Sequence, residues 1–291
     1  MIQLKKFFAA FTFLLILLTA TANAEDEGQW RLDGLDKTEV RNFRITSSNT
    51  SASAQLSARS FSLLFDEIKK ETVSKTTIYM VDLRQESHGF ANGVPVSWYK
   101  THNHANIGKT AEEIQIDEIN RLKSILGKMT EFVPLGNHDK ATLNKMTMIV
   151  ENVENEKSAA EKAGFKYVRF SATDQVFPEA KTVDEFIKFY LQLPKNHWLH
   201  FHCHAGHGRT TTFSVFYDIL KYPDLTLEEI VQRQYKLGGS NLLAESTGDD
   251  WYSQQNRDRA NKLRLFYKYV QNQRESKFQI SWSEWSEQFS D

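Results

Sequence analysis

Only one cysteine, Cys203, occurs in 291 residues. No disulfide can form within the chain, so stability must come from a buried core, which a chain of this length can supply. Neither charge dominates: 36 Lys and Arg stand against 37 Asp and Glu, a formal net charge of -1. That balance excludes the basic excess of a nucleic-acid binder. Long apolar runs are missing too. The most apolar stretch, residues 7–18, is too short to span a bilayer comfortably. It follows Lys5 and Lys6 and precedes Ala22-Asn23-Ala24, a small-x-small cleavage pattern. Residues 1–24 therefore read as a secretory signal peptide, leaving 25–291 without a transmembrane span, exported to a bacterial periplasm or secreted. An exported lone thiol is open to oxidation, and nucleophilic chemistry is one reason to keep it.

What is present is concentrated in residues 202–210, His-Cys-His-Ala-Gly-His-Gly-Arg-Thr. The preceding Trp198-Leu199-His200-Phe201-His202 predicts a buried strand. Thr211-Thr212-Phe213-Ser214-Val215-Phe216, with Ile219 and Leu220, predicts an amphipathic helix. In the loop between them, Gly206 and Gly208 allow successive N–H groups to turn inward, forming an anion nest at the positive end of the helix. His204, Ala205, Gly206, His207 and Gly208 are thus candidate phosphate-binding positions. Such a nest favours the thiolate of Cys203, the nucleophilic form of cysteine. It favours a substrate phosphate equally, and the planar fork of Arg209 suits two phosphate oxygens. Thr210 is placed to donate its hydroxyl to the sulfur. The alternative is a packing cysteine with a chance arginine nearby, but the adjoining histidine, threonine and glycines favour catalysis.

Periodicity predicts an α/β sheet with helices on both faces. A helix face is expected within 53–70, and the Ser-, Thr- and Ala-rich residues 46–60 read at least initially as a loop. Strands are expected at 78–83, 146–150 and 167–170. Thr110 with Glu113 forms a capping box for a helix to Leu126, and a second helix runs from 158 to 163 and stops at Gly164. Thr182 with Glu185 is expected to open a helix to Leu193, and Thr226 with Glu229 to open another that ends at Gly238-Gly239. Residues 250–271 read as a last long helix. In such sheets ligands sit outside the carboxyl ends of the strands, where the Cys203 loop falls.

Cleaving an alkyl phosphate ester also requires a proton donor for the leaving oxygen, and a carboxylic acid suits that task. Asp174, in Ser171-Ala172-Thr173-Asp174-Gln175-Val176-Phe177-Pro178, leaves a predicted strand end; its plainer role is a turn or helix cap. Residues 82–89, Asp-Leu-Arg-Gln-Glu-Ser-His-Gly, read ordinarily as a solvated loop. Alternatively Arg84 binds a second phosphate or holds Glu86. His200, His202, His204 and His207 raise a metal alternative with Cys203. Yet His200 and His202 alternate on a buried strand and no second ligand pair follows, so no metal is expected.

Together these residues resemble the protein-tyrosine-phosphatase-like inositol phosphatases, or cysteine phytases. The likeness extends over nearly all of residues 25–291. Beyond the 202–210 loop it includes Trp30-Arg31-Leu32-Asp33, Arg41-Asn42-Phe43-Arg44, and residues 82–99 with Asn92-Gly93-Val94-Pro95-Val96-Ser97-Trp98. It also takes in Ala172-Thr173-Asp174, Arg233-Gln234 and Trp282-Ser283-Glu284-Trp285. The resemblance implies a tyrosine-phosphatase-like core, a central sheet flanked by helices, with a small β-barrel-like subdomain built from the opening segment and an insertion around 97–150. It implies Cys203 as nucleophile, Arg209 as phosphate binder, Asp174 as general acid and no cofactor. Arg44, Arg84, His88, Lys100 and Gln175 become candidate substrate contacts, with Asp82, Glu86 and His202 as structural support. The expected activity is metal-independent hydrolysis of inositol phosphates through a cysteinyl-phosphate intermediate. A tyrosine or phosphoinositide phosphatase and a non-catalytic phosphate-binding module are the alternatives. Two departures stand out. Gln175 replaces a histidine that the family often has, and residues 245–250 are acidic where members often carry lysines, which would shift preference toward less phosphorylated inositols.

Overall fold

The computed structural model of the protein describes residues 28–35, 37–47, 49–134 and 145–289. The expected signal peptide lies outside them. Among the described residues, no helix is long and apolar enough to cross a membrane.

A five-stranded sheet forms the centre, in the order β10 (Lys166–Ala172), β4 (Thr77–Arg84), β11 (His197–His202), β3 (Thr50–Ser53) and β2 (Arg44–Ser47). The first four run parallel and β2 closes the edge antiparallel to β3. Alternation along β4 explains its place between two layers, since successive side chains face opposite sides. Ile78 and Met80 join Phe61, Leu64 and Ile68 of α1 (Ser60–Lys70) and Ala159 and Ala160 of α3 (Glu156–Ala163). Val81 and Leu83 join the opposite core with Phe186 of α4 (Ala180–Leu191), Phe213 and Phe216 of α5 (Gly208–Lys221), and Phe266 of α7 (Trp251–Gln273). The expected α/β class, helices on both faces of a central sheet, is what the chain adopts.

Residues Arg209 to Leu220 of α5 are buried without a break. A helix enclosed on all sides belongs to the core, and its dipole acts through a medium that screens it weakly. Its amino end receives the Cys203 loop directly from β11.

A second, antiparallel sheet has the order β1 (Gln29–Leu32), β6 (Val94–Tyr99), β5 (His88–Ala91) and β9 (Val153–Glu154), with the hairpin β7 (Met129–Phe132) and β8 (Met146–Ile149) beside it. Helix α2 (Ala111–Ile125) sends Leu122 and Ile125 into the core under this sheet, together with Trp30 and Val96. The capping boxes at Thr110 and at Thr226, which opens α6 (Leu227–Lys236), both form, and Gly164 ends α3 in the left-handed conformation.

Several expectations are corrected. Residues 46–60 contribute to β2 and β3 rather than to a loop, and α1 begins at Ser60, not Ser53. The reason is pairing: 50–53 lie between β11 and β2 with every side chain buried, so partners rather than propensity make the strand. Thr182 caps nothing, because α4 starts at Ala180 and Thr182 is buried within it. The expected last long helix, by contrast, forms as α7. A short α8 (Trp282–Ser286) folds back and packs Trp282 and Trp285 against Tyr269.

Candidate active site

The carboxyl ends of three neighbouring parallel strands deliver Glu86 just beyond β4, Asp174 just beyond β10 and Cys203 just beyond β11. At the third of these, Cys203 Sγ accepts the Gly206 N–H at 3.3 Å and the Thr210 hydroxyl at 3.0 Å. The α5 N-cap, His207, makes no side-chain capping bond, which leaves the first turn facing the loop. Gly206 is obligatory here. Its φ is +74°, and a Cβ would sit 2.5 Å from Ala54 N and 2.7 Å from Ser53 O of the neighbouring backbone. Asn42 Nδ2 donates to Ala205 O at 2.8 Å and contacts His207 Nε2 at 3.0 Å, bracing the loop from the opening segment.

Arg209 reaches back from α5 toward the other two strand ends. Its Nη1 and Nη2 donate to the two Glu86 carboxylate oxygens at 2.7 and 3.2 Å, and Nη2 also pairs with Asp174 Oδ2 at 3.1 Å. The Nε hydrogen of this buried guanidinium has no partner among the described residues, so one donor remains open to an anion. Burial alone would raise the Glu86 carboxyl, but Arg209 and Arg84 hold it well below the usual carboxylate range. Asn103 Nδ2 bridges Glu86 Oε1 at 2.7 Å and Asp174 Oδ2 at 3.1 Å, while His104 Nε2 meets the Asp174 carbonyl oxygen at 3.0 Å.

A cavity of about 300 Å³ opens over Ala205 and Gly208 of the loop, walled by Arg31, Asp174, Gln175, His204, Tyr252 and Arg259. A larger cleft of about 570 Å³, near the amino end of β11, is lined by Asn49, His197, Tyr217 and Lys221 and gathers no nucleophile.

The chain is similar to several known proteins. A family model for PTP-like phytase, described as inositol hexakisphosphate, matches residues 81–221. The tandemly repeated PTP-like phytase of Mitsuokella multacida is 35% identical, with 90% of this chain and 49% of that one covered and a TM-score of 0.84. The PTP-like myo-inositol phosphatase of the same organism, in complex with myo-inositol-(1,3,4,5)-tetrakisphosphate, is 34% identical, with 92% and 51% covered and a TM-score of 0.84. A PTP-like phytase from Bdellovibrio bacteriovorus is 32% identical, with 89% of this chain and 94% of that one covered and a TM-score of 0.73. The chain belongs to the PTP-like phytase family. It spans about half the length of the two Mitsuokella proteins.

In this chain the expected loop residues and Asp174 converge, whereas several expected substrate contacts do not join them. Arg84 is fully buried and committed to Asp33 at 2.8 Å, Glu86 at 2.8 Å and Gln55 at 2.5 Å, so its guanidinium has no access to a second phosphate. His88 is enclosed by Asp82, Glu118 and Glu156. Residues 82–89, expected as a solvated loop, are all buried because they join the two sheets. Lys100 is half-buried at the end of β6 and does not line the cavity. Arg44, by contrast, keeps Nε and Nη2 unpartnered and is close enough to Cys203 to feel its charge.

The supporting residues form a buried lattice of charge. His202 Nε2 meets Glu156 Oε1 at 2.6 Å, and Asp82 takes the Tyr167 hydroxyl at 2.6 Å and Arg169 at 3.1 Å. Burial and Arg84 act to lower His88, but Asp82 and Glu118 carry it up to about 10. Its imidazole lies close to the Asp82 and Glu156 carboxylates, which favour the charged form. The other histidines face separate partners: His200 sits between the Ser51 and Ser53 hydroxyls, and His204 contacts Asp33 at 3.3 Å. Burial and Arg31, acting against Asp33, bring His204 down to about 4, so it is neutral at neutral pH.

Sequence reasoning overlooked Asn103, Asn256 and Arg259. The last two sit in α7, where charged and amide residues ordinarily mark a solvated face, yet Arg259 Nη1 lies 3.2 Å from where a Gly208 Cβ would be. No local pattern distinguishes such a residue.

Proposed function

We propose that this chain is a metal-independent phosphomonoesterase that hydrolyses inositol phosphates through a cysteinyl-phosphate intermediate. What carries the reading is the meeting of Cys203 Sγ, the Arg209 fork and the Asp174 carboxyl at adjoining strand ends. Sγ attacks phosphorus and the bond to the leaving oxygen breaks, while Asp174 gives that oxygen its proton. The Asp174 carboxylate then takes a proton from water. The water oxygen attacks phosphorus, the S–P bond breaks and inorganic phosphate leaves. Loop N–H groups of residues 204–208 and Arg209 hold the equatorial oxygens throughout, and Thr210 steadies the thiolate.

The substrate class is supported by the Mitsuokella relative solved with an inositol tetrakisphosphate. A ring bearing several phosphates needs cations around the reacting one; Arg259 can supply one at the cavity, and Arg44, outside its walls, is near enough to Cys203 to add another. Residues 1–24 support export, and the separate antiparallel sheet supports a small subdomain built from the opening segment and an insertion around 97–150. Phosphate release from inositol hexakisphosphate, a phosphoinositide and a phosphotyrosine peptide, measured side by side, tests the assignment. Cys203→Ser should retain phosphate affinity with turnover below ~1% of the parent, given how steeply loss of a nucleophile lowers kcat. Turnover above that level refutes the covalent step. Faster hydrolysis of the phosphotyrosine peptide refutes the substrate class.

A further inference from the structure

Between β6 and α2 the chain makes a turn at 101–104 that holds two consecutive residues in the left-handed region, His102 at φ 56° and Asn103 at φ 67°. Non-glycine residues occupy that region at a cost and persist there when their surroundings dictate it. Here the surroundings are specific. The His102 ring stacks on Trp251 of α7 at 4.2 Å between centroids, with Tyr252 edge-on at 5.4 Å. Pinned in this way, Asn103 is 3% exposed and directs its amide nitrogen at two carboxylates, Glu86 Oε1 at 2.7 Å and Asp174 Oδ2 at 3.1 Å. Ionised carboxylates only accept, so the amide must present its NH2 group to both.

Asp174 needs such a tether. It lies on a loop with its side chain 21% exposed, and its second oxygen is held only by the adjacent Gln175 N–H at 3.0 Å. A proton donor must lie within hydrogen-bond reach of the leaving oxygen, and a swing of the carboxyl about χ1 would remove it. Arg209 cannot hold Asp174 alone, because its fork must also receive the substrate phosphate.

We propose that Asn103 is the positioning residue of the proton donor: its amide ties the Asp174 carboxyl to the buried Glu86, with His104 fixing the Asp174 backbone. The proposal rests on the reading of Asp174 as general acid. Asn103→Leu removes both donors at similar volume, and Asn103→Ser, a smaller change, serves if the first fails to fold. Each is assayed on inositol hexakisphosphate, whose alkoxide leaving group needs a proton, and on p-nitrophenyl phosphate, whose leaving group needs little. The expected fall in kcat is about 10- to 100-fold on the first, part of the ~10²–10⁴-fold that general acid catalysis contributes in full, and no more than about threefold on the second. Binding of inorganic vanadate should be unchanged. In an Asp174→Asn background, Asn103→Leu should have no further effect, because both changes remove one function. Equal losses on both esters with weakened vanadate binding would place Asn103 in support of Arg209 instead and overturn the proposal. So would a further loss in the Asp174→Asn background. A parent protein inert on both esters would refute the phosphatase reading, and this proposal with it.

Discussion

Glu86 is the joint on which the phosphate site turns, and replacing it by glutamine isolates its charge at nearly constant volume. In the folded protein it is completely buried and accepts from Arg84 Nε at 2.8 Å, Asn103 Nδ2 at 2.7 Å and both terminal nitrogens of Arg209. Glutamine offers one acceptor oxygen, and its NH2 group must then face a guanidinium N–H. Arg84 retains Asp33 as a counter-charge, but Arg209 keeps only the partly exposed Asp174 as a carboxylate partner, with Cys203 beyond it. Breaking a buried pair by neutralising one member costs about 3–5 kcal/mol, because the other charge stays buried without compensation. For a chain of this size each kcal/mol shifts Tm by roughly 2–4 °C, so Glu86→Gln should unfold about 6–20 °C below the parent. Turnover should fall even on an aryl phosphate, since an ångström of misplacement in Arg209 can cost on the order of 10²-fold. Calorimetry and urea unfolding test the first part. A loss below about 1 kcal/mol, the level of an exposed ion pair, would refute the idea that Glu86 anchors Arg209.

Gly206→Ala should abolish turnover and phosphate binding together, because a Cβ there meets the backbone of 53–54, which cannot yield without disturbing β3; near-normal activity would show that the loop can move away. His88, raised from 6.5 to about 10, contributes stability that is complete below pH 6.5 and is lost as pH climbs through 10. Unfolding free energy should therefore decline between those values in the parent and stay flatter in His88→Gln; parallel curves would remove His88 from the account. Asp174→Asn should slow hydrolysis of alkyl phosphates far more than of aryl phosphates, whose leaving groups need little protonation. Equal slowing of both would take Asp174 out of the acid role.

Much of the chemistry was written locally. Residues 202–210 carry the nucleophile, the nest glycines and the arginine within one strand–loop–helix unit, so their mutual placement follows from short-range geometry. The helix starts at Thr110 and Thr226 and the stop at Gly164 were legible for the same reason, since a cap satisfies groups within one turn. Strands β2 and β3 were not legible. The small polar residues of β3 show no apolar alternation and form a strand because β11 lies alongside, with His200 bonding Ser51 and Ser53, while β2 is a strand through its pairing with β3.

Charge in the sequence was the least informative signal. Arg84, Glu86 and His88 look like a solvated loop until the second sheet closes over them, and desolvation then turns them into a mutually neutralising lattice. Arg259 and Asn103 reach the site from elements far apart along the chain. The sequence by itself determined which nucleophile, which anion-binding loop and which alternation of strands and helices were possible. Only the tertiary structure decided which cations face the cavity and which are buried beneath it, because solvent exposure and the pairing of charges belong to packed elements, not to neighbouring residues.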